Sequence, residues 1–139
     1  MTIDGPATMS KANARTSRVA RHTVASMSDG APPDPAAETV VYDLRVVVDR
    51  IEGRSVCGMQ PGDYFDLVAS NELRLPAGKH FCVYALAAAL PLLSAKQRQN
   101  PPGDWIEHDT EVCCPDPDER LVMRIERTRV RRLRTTDLT

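Results

Sequence analysis

The run from Phe81 to Leu93 contains no charged residue and is closed off by chain breakers on both sides, Pro76-Ala77-Gly78 before it and Asn100-Pro101-Pro102-Gly103 after it. It falls short of the ~20 apolar residues that a membrane-crossing helix needs, and Pro91 interrupts it. Its alanines favour helix and let a helix backbone approach a sheet closely. The expected element is a helix from His80 to Arg98 with apolar residues on nearly every side, and therefore buried over most of its circumference. Pro91 has no N–H to donate, so the helix kinks there, or a second short helix, Leu92 to Gln99, starts with Pro91 in its first position. Lys96 and Arg98 near the end suit the helix dipole.

Everything around this element reads as extended chain. Val40, Tyr42, Leu44, Val46 and Val48 alternate with Asp43, Arg45 and Asp49, which predicts a strand with one buried face ending at Glu52-Gly53. Pro61-Gly62-Asp63 is a turn, and Tyr64 to Val68 a short second strand. Beyond the helix, Glu111 to Cys114 is a third strand and Leu121 to Arg127 a last one, with Leu121, Met123 and Ile125 inward. The fold class is α+β, a small antiparallel sheet packed against one kinked helix or a helix pair. The chain divides into a disordered tail and Pro-rich linker at 1–38, a single domain at 39–128, and a basic tail at 129–139.

Composition excludes several classes of function. A net charge of -1 draws the whole chain neither to nucleic acid nor to anionic lipid. Arg124, Arg127, Arg129, Arg131, Arg132 and Arg134 form a basic strip without interleaved aromatics, which reads as a solvated edge that discourages sheet-to-sheet pairing. The first residues show no secretory pattern, so the expected compartment is the cytoplasm, where cysteines remain thiols or bind metal. Lys11, Arg15, Arg18 and Arg21 faintly resemble an organelle-targeting peptide, against which Asp4 and the lack of an apolar face argue, and a docking peptide is the functional alternative to a plain leader.

Each of the four cysteines sits where a regular element starts or stops, and thiols at element ends can converge. Cys57 follows Ser55-Val56, Cys82 opens the helix after His80-Phe81, and Cys113-Cys114 precede Pro115-Asp116-Pro117. Unpaired N–H groups at a helix start favour thiolate, which singles out Cys82. Adjacent Cys113 and Cys114 on a strand face opposite ways. No Cys-x-x-Cys pair encodes a zinc site, so no cofactor is expected; Cys57, Cys82, Cys114 and His80 are the weak metal candidates that zinc or iron would use. The plain alternative is that each free cysteine is a small buried hydrophobe. Asp63 and Asp116 are turn-formers by local pattern and an acid–base pair only if they meet beside the helix. Asp104, before Trp105, has the same turn reading, and the ordinary role of His80 is hydrogen bonding at the helix start.

Glu52-Gly53-Arg54-Ser55, Gly58, Gly62-Asp63-Tyr64-Phe65, Phe81-Cys82-Val83-Tyr84-Ala85-Leu86, Leu90-Pro91-Leu92-Leu93, Cys114-Pro115-Asp116-Pro117 and Arg124-Ile125-Glu126-Arg127 together resemble a family of small prokaryotic conserved hypothetical proteins, over about residues 41–128. Leu90 to Arg98 with Asp104-Trp105 looks like its actinobacterial branch. The resemblance implies the domain limits and no settled activity or cofactor. Members carry Cys at the position of Ser55 and His at that of Met59, which leaves Cys82 and Cys114 as the matched thiols.

Two functions follow as expectations. The first is a small binding or accessory module for a small molecule or a partner protein, its site near the helix start and formed by Cys82, His80, Asp63, Cys114 and Asp116. The second is a compact cofactor-free cyclase or isomerase of a specialised biosynthetic pathway, with Asp63 or Asp116 moving a proton, Cys82 beside them, and Tyr64, Phe65, Tyr84 and Trp105 shaping the pocket. A thiolate metal or redox site is a third. A homodimer through a sheet edge would suit the little apolar surface so short a domain buries.

Overall fold

The computed structural model describes residues 34–138. β1 (Glu38–Ile51) and β5 (Leu121–Arg134) pair antiparallel along their whole length and form the spine of the fold. β2 (Tyr64–Val68) and β3 (Glu72–Arg74) extend the sheet beyond β1, and β4 (Glu111–Cys113) adds to β5, giving the order β3-β2-β1-β5-β4. α1 (Val83–Lys96) lies across one face, followed by the single turn of α2 (Trp105–His108). The fold is α+β, an open antiparallel sheet packed against a helix. Among the described residues, no helix is long and apolar enough to cross a membrane.

The core forms where the inward side chains of the strands meet one stripe of α1. Register places Val46 opposite Phe65 on one side and Ile125 on the other, and Val48 opposite Met123. Alternation sends these residues to the same sheet face, where they meet Ala85, Ala89 and Leu93, spaced by one helical turn. Phe65 is wholly buried and stands edge-on to Phe81, with ring centroids 4.9 Å apart. Burying a side chain of this size stabilises the fold by roughly 1.5–3 kcal/mol.

Among the described residues, the opposite sheet face carries no second layer and is covered by charge. Arg45 bonds Asp66 at 2.8 Å while lying 3.8 Å over the Tyr64 ring, and Arg50 reaches Glu111 at 2.8 Å. Arg124 joins Asp49 and Glu126. Arg131 bonds Asp43, whose buried carboxylate also accepts from the Ala69 N–H at 2.9 Å.

Three expectations need correction. The residues from Arg129 are not a basic tail: β5 continues to Arg134 and pairs with β1 as far as Glu38, with a register shift at Asp43/Leu44 that Thr128 spans by bonding the Asp43 carbonyl. α1 is not buried over most of its circumference. Val83, Tyr84 and Leu90 are half or more exposed, because only one sheet face is available to cover it. Nor does a second helix start at Pro91: α1 runs through it, since Pro91 and Ala87, whose carbonyl Pro91 cannot serve, both lie on the exposed side. β3 and α2 carry no sequence signal comparable to their neighbours. The tail and basic targeting-like segment of the sequence reading lie outside the described residues, except for its last few positions.

Candidate functional site

Where β1 ends and β5 begins, two loops fold against the start of α1. Gly53 makes this closure feasible. A Cβ there would stand 1.9 Å from the Asp118 carbonyl oxygen, so only glycine lets the two loops pass. The Gly53 N–H bonds the Glu119 carbonyl at 3.0 Å, and the Arg54 N–H bonds that of Asp118 at 3.1 Å. Asp116 builds the second loop. Its carboxylate accepts from the N–H groups of Asp118 (2.9 Å) and Glu119 (3.3 Å), and its carbonyl from Arg120. Arg120 is left-handed (φ 45°), and next to it Glu119 is turned into the protein with only 1% exposure.

Glu119 organises the facing loop through one oxygen. Oε1 accepts from the Val56 N–H at 3.1 Å and from the Cys57 thiol at 3.0 Å. Among the described residues, Oε2 makes no hydrogen bond. Glu119 itself stands at the wall of the space beside these loops. His80 pins the same loop by donating Nε2–H to the Cys57 carbonyl at 3.0 Å.

Between these parts lies a cleft of about 340 Å³. Cys57, Cys82 and Cys114 line it with Val56, Val83 and Tyr84, and Glu119 and Asp116 stand at its polar wall. Cys82 is the N-cap residue of α1 and makes no capping bond. Cys114 is 6% exposed, and burial raises its thiol pKa. The Cys57 thiol is pushed up to about 12, first by burial, then by its bond to Glu119 and by the neighbouring Cys82. Cys57 and Cys114 are therefore neutral, weakly nucleophilic groups at physiological pH.

Of the residues singled out in the sequence, the structure gathers Cys57, His80, Cys82, Tyr84, Cys114 and Asp116 around the cleft. It leaves four expected residues out of the cleft. Asp63 caps its own turn, accepting from the Gln60 N–H at 2.8 Å and pairing with Lys79 at 3.1 Å. Its carboxyl is held below the usual range, chiefly by that N–H. Tyr64 sits under Arg45 on the charged face, Phe65 is core, and Trp105 opens α2 as an exposed residue. Asp63 and Asp116 accordingly form no catalytic pair. Among the described residues, no three His, Cys, Asp or Glu side chains cluster closely enough to hold a metal ion. Cys113 is exposed on β4, with its back to Cys114.

Glu119 is the residue that local pattern misses. An acid after Pro115-Asp116-Pro117-Asp118 reads as part of a hydrated turn, and only the left-handed Arg120 and the closure against Gly53 reveal its inward direction. Comparison with protein-family models, curated proteins and solved structures finds no match for the chain.

Proposed function

We propose that the protein is a small binding module whose cleft at the start of α1 takes a small apolar molecule carrying one hydrogen-bond donor, an amine or a hydroxyl. The observation that carries this reading is the buried Glu119 carboxylate, bonded through Oε1, at the wall of a cleft lined mostly by thiols, valines and a tyrosine, with His80 and Asp116 as the other polar groups. Ligand sites commonly have this form, a mostly apolar cavity of a few hundred Å³ with few polar groups fixing orientation. The volume is enough for a molecule of modest size. The apolar body would lie on Val56, Val83 and Tyr84, and the donor would meet Glu119.

A thermal-shift series comparing aromatic and aliphatic amines and alcohols with their parent hydrocarbons tests it. The donors are expected to stabilise the protein and the hydrocarbons to do so less. Cys82→Phe, which fills the cleft, should abolish both effects, and Glu119→Gln should narrow the gap between them. Equal shifts in wild type and Cys82→Phe would refute the site.

A second reading has its own observation. A carboxylate buried at the wall of an apolar cleft is the arrangement a general base needs, so the isomerase or cyclase alternative would rest on Glu119 in place of Asp63. Turnover of a bound ligand by wild type but not by Glu119→Gln, with binding retained, would favour it.

A further inference from the structure

Lys96, the last residue of α1, is only 3% exposed, yet its ammonium makes no hydrogen bond or ion pair among the described residues. It lines a cavity of about 280 Å³ at the opposite end of the helix from the thiol cleft, together with Glu107, Thr110, Arg124, Glu126 and Arg127.

The surrounding charges are already matched. Arg127 holds Glu107 with two bonds of 2.7 Å and bonds the Lys96 carbonyl at 2.8 Å, while Arg124 holds Glu126 at 2.7 Å and also Asp49. Among the residues lining the cavity, Lys96 is the cation without a direct ion pair, and the Glu107 and Asp109 carboxylates act on it only at longer range. A buried charge without a partner is strongly unfavourable, so the cavity is completed by an anion or the amine stays neutral. Burial does lower the Lys96 pKa, with Arg127 acting in the same direction and the Glu107 and Asp109 carboxylates opposing it. Among the described residues, the side-chain hydroxyl of Thr110 on the same wall also makes no hydrogen bond. One ammonium and one hydroxyl match the two oxygens of a monoanionic carboxylate. A dianionic phosphate would meet Glu107 and Glu126 with only one cation to spare.

We propose that this cavity is a second binding site, for a small monocarboxylate held by Lys96 and Thr110. The site is independent of the thiol cleft, and either can fail without the other.

The chain contains three lysines, Lys11, Lys79 and Lys96, so the side-chain Cε–Hε NMR resonances of the full-length protein labelled at lysine are few enough to assign. Lys11→Arg and Lys79→Arg identify the Lys96 signal by elimination without disturbing the buried residue. Sodium acetate is expected to shift that signal saturably beyond the change that sodium chloride causes at equal ionic strength, while Lys79 responds alike to both salts. Thr110→Val should weaken the acetate response by about tenfold, the scale of one charge-assisted hydrogen bond. Indistinguishable responses to acetate and chloride at Lys96 would overturn the proposal, as would an unaltered acetate response in Thr110→Val. Saturation by inorganic phosphate at lower concentration than acetate would overturn the assignment to a monocarboxylate.

Discussion

Three of the four thiols share one cleft but occupy different surroundings, and their chemistry should diverge accordingly. Cys113 is exposed, whereas Cys114 is buried and Cys57 donates to a buried carboxylate. With iodoacetamide near pH 8, peptide mapping should find Cys113 modified first and Cys57 and Cys114 last. Cys57 also makes stability depend on alkaline pH. Its folded-state pKa lies near 12 against an ordinary 9.0, so the unfolded chain releases this proton first. The contribution is complete below about pH 9 and is lost as pH rises toward 12. Urea midpoints between pH 8 and 11 should fall more steeply for wild type than for Cys57→Ser. Glu107 works in the opposite sense. Its bonds to Arg127 hold it near 2 against an ordinary 4.5, so its contribution is present above about 4.5 and fades as pH falls toward 2. Glu107→Gln should flatten the acid limb of the same profile.

At the scale of elements, the two ends of the β1–β5 pair carry separable tasks. Gly53→Ala at the cleft end forces a Cβ into the Asp118 carbonyl, a clash that backbone must relieve. It should cost roughly 1–3 kcal/mol and displace Glu119, detectable as faster alkylation of Cys57. At the other end, cutting the chain after Thr128 removes the partners of β1 from Glu38 to Asp43 and strips Arg131 from buried Asp43. The truncated protein should melt well below the full chain. That outcome would be unexpected if the basic residues were a loose tail, which is how their composition reads. Period-two patterning made β1, β2 and the inward residues of β5 legible, because one face of each is buried and the other wet. Beyond Thr128 it fails, since the bulge shifts the phase and arginines occupy both faces. The helix was legible in position but not in burial: an all-apolar surface says that the helix can be covered, not that this chain supplies the cover. The site was legible through its cysteines, which mark element ends, and illegible at Glu119, whose direction depends on a long-range loop contact.

Among the described residues, α1 covers one face of the sheet and ion pairs cover much of the other. Phe65, between helix and sheet, is the side chain on which both layers depend, and Phe65→Ala should cost about 3–5 kcal/mol in denaturant unfolding. The charged face should respond to salt. Screened pairs weaken at about 1 M ionic strength, so the melting temperature should decline with sodium chloride near neutral pH. The β1–β5 pair also sets up a useful geography. Glu38 lies opposite Arg134, whereas the Ile51–Leu121 pair, from which the two loops of the cleft depart, is a full strand away. At ~3.3 Å per residue that separation approaches 40 Å. A fluorophore or surface tether placed beside Thr136 would therefore stand clear of the thiol-lined opening, giving a handle for immobilised binding assays that leaves entry to the cleft unobstructed.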